Sequence, residues 1–300
     1  MTHTEAERLS SKVPLAAGFI SMCSWGAGPL IIRGISASTS TITVMRLALS
    51  VPVMAFWACR TGGRLDRQVM RDTALPGIFF FSSMALAFEA IRHTSIANQT
   101  LIGALSPAVL LFIAPRLLGE RVSVAQVILA ILGFVGIGVV VLGGGDAQAG
   151  SLFGDVLSAI SMLLWTTYVV MVKRVRVRNE NAWAYLAGNF AWSAIYGIPW
   201  AIFGSFSLAD LGGVDWTLLL TMVLVQGTLA HGLHAWSLRH LDATVSSLIN
   251  LGAPAFSVVG AWVIYDQSIT VVQMLGAGLV LVSLAFVSIN ASRRMPAVGS

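Results

Sequence analysis

Charged residues are scarce in this chain. Only 10% of its 300 residues are Asp, Glu, Lys or Arg, whereas 56% are hydrophobic. A soluble protein of this length needs far more polar residues to cover its surface. The composition therefore places the chain in a lipid bilayer.

The sequence also has few cysteines and no recognisable catalytic motif. Cys23 and Cys59 both fall within apolar stretches, so they predict neither a disulfide framework nor a metal-binding pair. No G-x-S-x-G or H-E-x-x-H stretch occurs, and Ser, His and acidic residues do not converge by spacing, as an intramembrane hydrolase or transferase would require. We therefore expect no enzymatic activity, no cofactor and no bound metal.

Long polar segments are missing as well. Ten apolar runs are separated by breaks too short for a soluble domain, and each run is close to the roughly 20 residues that span a bilayer. In lipid the backbone must satisfy its own hydrogen bonds, so each run is expected to be a helix. The runs lie near residues 13–33, 40–59, 73–92, 95–115, 122–142, 152–172, 182–204, 215–238, 242–261 and 270–290. The sequence thus predicts an all-α integral membrane protein with ten transmembrane helices.

The positive charges follow a membrane topology rather than a nucleic-acid-binding surface. If the N-terminus is cytoplasmic, only Arg33 and Arg92 lie in outer segments and Arg46 lies within a span, while every other Lys and Arg lies in an inner segment. Cytoplasmic loops of membrane proteins carry this excess of positive charge. We therefore expect cytoplasmic tails at residues 1–12 and 291–300, a multi-pass location in the bacterial inner membrane, and no nucleic-acid partner.

A sequence repeat relates the two halves of the chain. Residues 20–25 read ISMCSW and residues 160–165 read ISMLLW, at an offset of 140 residues. At an offset of 147 residues, further matches occur in the same order along both halves, namely Arg92-His93 with Arg239-His240, Pro107-Ala108 with Pro254-Ala255, and Gln126 with Gln273. The two predicted repeats cover residues 13–143 and 152–290.

The number of helices in each repeat determines their relative orientation. Five is odd, so the second repeat enters the membrane upside down relative to the first. Inverted repeats are typical of carriers, whose two halves rock about a central site so that it opens to either side of the membrane. The sequence therefore predicts a small-molecule transporter that works by alternating access. A channel or receptor is the less favoured alternative, because neither needs this symmetry.

Several short stretches resemble one transporter family. They are Trp25-Gly26, Met45-Arg46-Leu47, Ser106-Pro107, and Leu118-Gly119-Glu120 followed by Gln126. In these stretches and over nearly its whole length, the chain resembles the EamA-type carriers of the drug/metabolite transporter superfamily, and within it the YddG-type amino-acid exporters. The resemblance implies export of aromatic and other neutral amino acids and similar metabolites from bacterial cells, through a central cavity lined by both halves.

Two departures from the superfamily bear on the mechanism. Its compact drug antiporters have a membrane-embedded Glu in the first helix, whereas the first span here has no carboxylate. This difference favours facilitated export over proton antiport, and proton-coupled export of cationic drugs or dyes is the alternative. The Gly-Glu pair at Glu120 becomes Asp266-Gln267 in the second half, so Glu120 has no counterpart. Ten helices make a complete carrier, so no oligomer is required.

Two tryptophans are the first candidates for substrate binding. Trp25 and Trp165 lie about 12 to 14 residues into their spans, near the bilayer middle and away from the interfacial belt where Trp is enriched. An indole ring can stack on an aromatic substrate or bind an ammonium group. We predict that each half contributes one tryptophan to a central site. Packing between the halves is the alternative.

Uncharged polar residues in the fourth and ninth spans are the second group of candidates. Hydroxyl and amide groups can bind a zwitterion without being charged themselves, and small neighbours leave room for it. The residues share one helix face in the ninth span, at Ser246, Asn250 and Ala253, with Gln99, Gly103 and Ser106 as their repeat counterparts. Of these, Gln99, Gly103, Ser246 and Asn250 are predicted to bind substrate. The alternative is that they join neighbouring helices.

Three further ring-bearing residues are candidates for the same site. Phe80 is the one of three consecutive phenylalanines predicted to face inward, and Tyr168 follows Trp165 by three residues. His231 and His234 are three residues apart, but no acid or cysteine lies close enough to complete a metal site. His231 is therefore predicted to line the cavity. For all three, ordinary packing is the alternative.

Arg46 and Glu89 are ionisable residues within predicted spans. Ionisable side chains are costly in the membrane and mark functional sites by default. Both residues fall in the outer third of the membrane in the predicted topology, so we predict that they form an ion pair. A gating or proton-coupling role for Glu89 is the alternative.

Overall fold

The computed structural model describes residues 3–110, 124–142, 151–176, 181–237, 249–250 and 252–292. Every regular element in these residues is a helix, which confirms the predicted all-α membrane fold. The helices are α1 His3–Gly26, α2 Gly28–Gly34, α3 Thr39–Arg60, α4 Arg67–His93, α5 Ile96–Gly103, α6 Val124–Leu142, α7 Leu152–Arg176, α8 Ala182–Phe203, α9 Gly213–Thr221, a π-helix Met222–Leu229, α10 Ala230–Ser237, α11 Gly252–Tyr265 and α12 Val271–Ser292.

The predicted spans coincide with these helices wherever the structure describes them. Five helical segments are long and apolar enough to cross a membrane, namely Val13–Gly34, Thr39–Arg60, Arg67–His93, Leu152–Val172 and Gly213–His234. Shorter apolar helices cover the described parts of the fourth, fifth, ninth and tenth spans. Three described spans differ from simple helices. The first is interrupted at Ala27, the fourth has a turn at Ala104 and Leu105, and the eighth contains the π-helix.

The interruption of the first span has a cause in the sequence. Pro29 has no backbone N–H, so the carbonyl of Trp25, four residues earlier, loses its helical donor. The side-chain amide of Gln226, in the π-helix, donates to this carbonyl at 3.4 Å. The hydroxyl of Ser257 in α11 donates to the adjacent carbonyl of Gly26 at 2.6 Å. The broken segment therefore binds side chains of the second half.

The helix packing is symmetric between the halves. Helix α7 packs on α4, and in the corresponding positions α1 packs on the π-helix and α10. Helix α5 packs on α7, and correspondingly α11 packs on α1. The pairs α3 with α8, α5 with α11, and α6 with α12 each join equivalent helices of the two halves. This exchange of neighbours is what two related five-helix halves require.

The repeated ISM phrase makes the same hydrogen bond in both halves. The hydroxyl of Ser21 donates to the carbonyl of Ala230 at 2.9 Å, and the hydroxyl of Ser161 donates to the carbonyl of Ser83 at 2.8 Å. Ser21 and Ser161 are 140 residues apart, and Ser83 and Ala230 are 147 residues apart, which are the two offsets of the sequence repeat. The phrase therefore joins the first helix of each half to the third helix of the other.

Helices α6 and α12 approach each other through two glycines. A Cβ added at Gly136 would lie 2.9 Å from the carbonyl of Gly276, and one added at Gly276 would lie 2.7 Å from the carbonyl of Gly136. Small residues at such positions allow membrane helices to pack backbone against backbone. The contact is reciprocal, as expected where two equivalent helices meet at a pseudo-two-fold axis.

Candidate functional site

Two cavities lie between the halves of the described structure. The arginine cavity has a volume of about 470 Å³. Its wall combines one cation with aromatic, thioether, hydroxyl, amide and imidazole groups, from Trp25, Arg46, Phe80, Ser83, Met84, Ala87, Gln99, Gly103, Ser158, Ser161, Met162, Trp165, Phe190, Gln226 and His231. The proline cavity, of about 630 Å³, is more apolar and includes Pro29, Pro107 and Pro254 in its wall.

The two cavities share four residues, namely Trp25, Gln99, Gly103 and Trp165. The two tryptophans occupy equivalent positions on α1 and α7, so each half supplies one indole to the shared wall. These four were all predicted from the sequence to bind substrate. The structure thus brings them together between the halves.

Trp165 lies in an aromatic cluster. Its ring centroid is 6.0 Å from that of Phe80 and 5.3 Å from that of Tyr168, and Phe80 also contacts Phe190 at 5.1 Å. Phe80 lines the arginine cavity, as does Phe190, which sequence reasoning missed. Tyr168 is placed differently from its prediction. It lines neither cavity and is buried behind Phe80 and Trp165, because its position on α7 directs it toward α4.

Trp25 lies among imidazole rings instead. Its ring centroid is 5.4 Å from that of His231 and 4.8 Å from that of His234. His231 lines the arginine cavity, whereas His234 does not. The Nδ1 atom of His231 lies 3.3 Å from the carbonyl of Gln226. The two equivalent tryptophans thus differ in their surroundings, which are imidazole rings at Trp25 and aromatic rings at Trp165.

The predicted ion pair between Arg46 and Glu89 is wrong. Glu89 instead contacts Nε2 of His93 at 3.0 Å and accepts a hydrogen bond from the hydroxyl of Thr39. Thr39 is the first residue of α3, and Arg46 lies about two turns further along it, roughly 10 Å deeper in the bundle. The sequence placed both residues in one layer, but this depth difference separates them.

Arg46 belongs to the cavity wall and has no acidic partner among the described residues. One guanidinium nitrogen lies 3.8 Å from the sulfur of Met84, and the Cζ atom lies 5.4 Å from the ring centroid of Phe88. The buried Nε atom has no hydrogen-bond partner. The cavity therefore contains a cation whose charge no described side chain neutralises.

Two amide oxygens of the same wall are also without partners. They are the buried Oε1 atoms of Gln99 and Gln226. The amide nitrogen of Gln226 donates to the carbonyl of Trp25, which leaves its oxygen as the free acceptor. Gln226 was missed by sequence reasoning, although a glutamine within an apolar run was an available signal. Buried polar atoms usually have partners, so these unpaired acceptors are candidate ligand-binding groups.

The polar face predicted for the ninth span lies mainly along the proline cavity. Asn250 and Ala253 line it, as does Ser106, and the Oδ1 atom of Asn250 is buried without a partner. Ser106 shares a hydrogen bond of 2.8 Å with Thr166 of α7. In the equivalent place of the other half, Gly26 of α1 packs against Ala253. Ser246 lies outside the described residues.

One end of the bundle is joined by hydrogen bonds between the halves. We call this the latch end. It comprises the segments between α2 and α3, α4 and α5, and α8 and α9, together with the first turns of α5, α7 and α9. Asp215 accepts from the backbone N–H of Ser36 at 3.0 Å and from its hydroxyl at 2.7 Å. Asp155 accepts from the hydroxyl of Thr94 at 2.6 Å and from the amide of Asn98 at 3.1 Å. Both carboxylates are buried.

Comparisons with known proteins agree with this geometry. A model of the EamA-like transporter family matches the chain twice, over residues 13–142 and 152–289. An uncharacterized transporter of Archaeoglobus fulgidus is 20% identical, covering 89% of this chain and 93% of its own length. The uncharacterized transporter YyaM of Bacillus subtilis is 23% identical, and the match covers 82% of this chain and 83% of YyaM. The uncharacterized transporter YetK of the same organism is 22% identical, and the match covers 92% of this chain and 86% of YetK.

A solved structure supports the fold. A crystal structure that is 21% identical in sequence superposes with a TM-score of 0.66, covering 95% of this chain and 99% of the other. At this identity the likeness concerns the fold alone. The fold of this chain is therefore one that a solved structure also has.

Proposed function

Because this chain belongs to the EamA-like transporter family, we propose that it exports neutral and aromatic amino acids and similar small metabolites across the bacterial inner membrane. The observation that carries the proposal is the arginine cavity. Its wall combines aromatic rings, uncharged amides and hydroxyls, and a single cation. An aromatic amino acid has a ring, a carboxylate and an ammonium group. The aromatic rings of the wall can contact the ring, the cation can bind the carboxylate, and the amides can bind the ammonium group.

The aromatic wall suits the side chain of the substrate. Phe80, Trp165 and Phe190 form one continuous cluster beside the cavity. Ring stacking contributes about 0.5 to 1.5 kcal/mol beyond area burial. An apolar pocket separates substrates that differ by one methylene by only about 1 to 3 kcal/mol. We therefore propose a broad specificity among neutral amino acids rather than a single substrate.

Cationic drugs and dyes are the competing substrate class, since aromatic rings bind cations as well. Arg46 opposes this alternative, because a like charge in the same cavity repels a cation. The described cavity wall contains no carboxylate that could neutralise a cationic drug. Amino acids therefore fit the wall better than cationic drugs do.

The proposed mechanism is facilitated alternating access. The reciprocal packing of the two halves supports a rocking motion about the layer of Trp25 and Trp165. In the predicted topology the latch end faces outward, so its hydrogen bonds would have to break for substrate to leave. The first span has no carboxylate, and none of the described residues that line the arginine cavity carries a carboxylate. We therefore propose that transport does not require a proton gradient.

Counterflow in proteoliposomes tests the substrate class. Liposomes containing the purified protein are loaded with one unlabelled compound, and the transient uptake of labelled phenylalanine is measured. Loading with tryptophan, methionine or threonine should drive uptake, whereas loading with ethidium should not. Uptake driven by ethidium and not by amino acids would contradict the proposal and favour drug export.

A further inference from the structure

We infer that Arg46 binds the carboxylate of the substrate, so that the arginine cavity selects compounds bearing a single carboxylate. This inference rests on the proposed function in that it assigns one chemical group of the ligand to the same cavity. It also extends to carboxylates that are not amino acids.

Arg46 differs from Arg33 and Arg92 in its contacts. Near the latch end, Arg33 donates to the carbonyls of Ile91 and Thr94 at the end of α4. Arg92 donates to the carbonyls of Ile35 and Ala37 in the segment after α2. Carbonyls at helix C-termini attract cations, so these two arginines have structural roles. Arg46 makes no such bond in the described structure.

Arg46 has no anionic neighbour among the described residues. Its guanidinium contacts a thioether sulfur and the face of Phe88, neither of which is an anion. Its Nε atom is buried without a hydrogen-bond partner, and no carboxylate of the described residues lies within salt-bridge distance. A cation inside a membrane bundle normally pairs with an anion or with carbonyls. A ligand carboxylate would supply the missing partner, and the guanidinium can bind it through two parallel hydrogen bonds.

The wall of the arginine cavity carries one fixed positive charge in the part of the chain that the structure describes. Among those residues, Arg46 is the only arginine or lysine that lines the cavity. A phosphate ester carries close to two negative charges and calls for several cations, whereas a carboxylate carries one. The remaining polar groups of the wall are uncharged hydroxyls and amides, apart from the imidazole of His231. The cavity therefore matches a monocarboxylate better than a phosphorylated compound.

The ammonium group and the side chain of an amino acid also have partners in the wall. The unpaired amide oxygens of Gln99 and Gln226 are acceptors, and an ammonium group is a donor with three N–H bonds. The aromatic cluster of Phe80, Trp165 and Phe190 can hold the side chain. With the carboxylate on Arg46, each part of an α-amino acid has a partner in the wall.

The experiment compares four ligands that share one aromatic ring. Equilibrium binding of L-phenylalanine, 3-phenylpropionate, L-phenylalaninamide and 2-phenylethylamine is measured on the purified full chain in lipid nanodiscs. The first two have a carboxylate and the last two lack it. We expect the wild type to bind both carboxylates at least about tenfold more tightly than the amide, as a charge-assisted bond implies.

Variants of Arg46 then locate the carboxylate. Arg46→Gln should weaken binding of both carboxylates about tenfold or more. It should not weaken binding of the amide and the amine, because Arg46 repels their ammonium groups. Arg46→Lys should retain part of the preference, because it keeps the charge but not the planar fork. Arg60→Gln is the matched control, because Arg60 is exposed at the end of the same helix and should behave as wild type.

Several outcomes would overturn the inference. Equal binding of phenylalanine and its amide by the wild type would do so without any variant, even if Arg46→Gln does not fold. Equal weakening of all four ligands by Arg46→Gln or Arg46→Lys would indicate a structural role instead.

The result also separates the inference from the proposed function. If phenylpropionate binds through Arg46 while no amino acid is exchanged in counterflow, the inference stands and the amino-acid proposal fails. If amino acids are exchanged and their binding does not depend on Arg46, only the inference fails.

Discussion

At the scale of single residues, Trp25 and Trp165 are equivalent in sequence but differ in surroundings. Trp25 contacts two histidines, and Trp165 contacts Phe80 and Tyr168. The cavity wall is therefore polar beside Trp25 and aromatic beside Trp165. Such a wall can orient a molecule with a polar end and an apolar end.

The first prediction concerns the aromatic side of the wall. Trp165→Ala should weaken binding of aromatic amino acids about two- to tenfold, the equivalent of one lost aromatic contact. Threonine binding should change less, because threonine has no ring to stack. Trp262→Ala is the control, because Trp262 is 60% exposed and lines neither cavity. A folded Trp165→Ala protein that binds and transports every substrate normally would remove Trp165 from the site.

The second prediction concerns Glu89. Glu89 lies outside both cavities, and its contact with His93 is partly exposed to solvent. Partly exposed pairs of this kind contribute about 0 to 1 kcal/mol. Glu89→Gln should therefore transport at the wild-type rate across pH 5.5 to 8, measured by counterflow at equal pH on both sides. A variant whose transport loses the pH response of the wild type would instead make Glu89 a coupling residue.

From the sequence, candidate residues of the cavity wall could be identified, but their contacts with one another could be predicted less well. The repeated phrase and the central depth of Trp25 and Trp165 were sufficient to locate the shared wall. The pairing of Arg46 with Glu89 failed because hydropathy fixes depth only to within a turn or two of helix. Gln226 and Phe190 were missed because the rotation of a helix about its axis is set by packing against its neighbours, and apolar membrane helices carry little periodicity.

At the scale of the helices, the latch end is where the halves would separate. Ser36 precedes α3 and belongs to the first half, whereas Asp215 lies in the first turn of α9 in the second. Asp155, in the first turn of α7, binds Thr94 and Asn98 across the same division. Arg46, Ala87 and Ser158 of the arginine cavity each lie about two helical turns from this end.

The third prediction concerns this latch. Asp215→Ala removes two hydrogen bonds to Ser36, each worth about 1.5 to 3 kcal/mol when one partner is charged. The latch end should then open more often. The parent protein for this test has Cys23 and Cys59 replaced by alanine and a cysteine introduced by Ala87→Cys. With Asp215→Ala added, this cysteine should react with an impermeant maleimide from outside at least about tenfold faster than in the parent.

The control for the latch is Asp210→Ala. Asp210 is exposed and lies in the same segment between α8 and α9. Its removal should leave the labelling rate at the level of the parent protein. Equal labelling of the parent, Asp210→Ala and Asp215→Ala proteins would contradict a gating role for the contact between Ser36 and Asp215.

The helices themselves were largely predictable, but their irregularities were not. Runs of about 20 apolar residues gave the spans. The break at Ala27 could be anticipated only from Pro29, and the π-helix of residues 222–229 left no clear sequence signal. Both irregularities meet at the bond between Gln226 and the carbonyl of Trp25. In both places the backbone adapts to a neighbouring helix. Local helix propensity does not encode such tertiary contacts, so the sequence alone could not predict them.

At the scale of the whole molecule, helices α6 and α12 stand apart from the cavities. No residue of either helix lines the arginine or the proline cavity. The two helices pack on each other through Gly136 and Gly276. Apart from α9, every other described helix contributes residues to the cavity walls. The pair α6 and α12 therefore supports the assembly of the two halves without contacting the substrate.

The fourth prediction tests that role. Gly136→Ala would place a Cβ 2.8 Å from a methyl group of Val280 and 2.9 Å from the carbonyl of Gly276. Such overpacking costs about 1 to 3 kcal/mol, so the thermal midpoint of the purified protein should fall by several degrees. Gly138→Ala is the matched control, because nothing lies within 4 Å of its added Cβ. Equal midpoints for the two variants would contradict the close approach of α6 and α12.

The central claim is facilitated export of amino acids, and downhill efflux from proteoliposomes tests it most directly. Liposomes containing the purified protein are loaded with labelled phenylalanine, tryptophan, methionine or threonine, and loss of label is followed with and without an imposed pH gradient. We expect saturable loss of label without a gradient, at a rate that the gradient does not change. Efflux of none of these amino acids under either condition would contradict the claim, and efflux only with the gradient would contradict its facilitated mechanism.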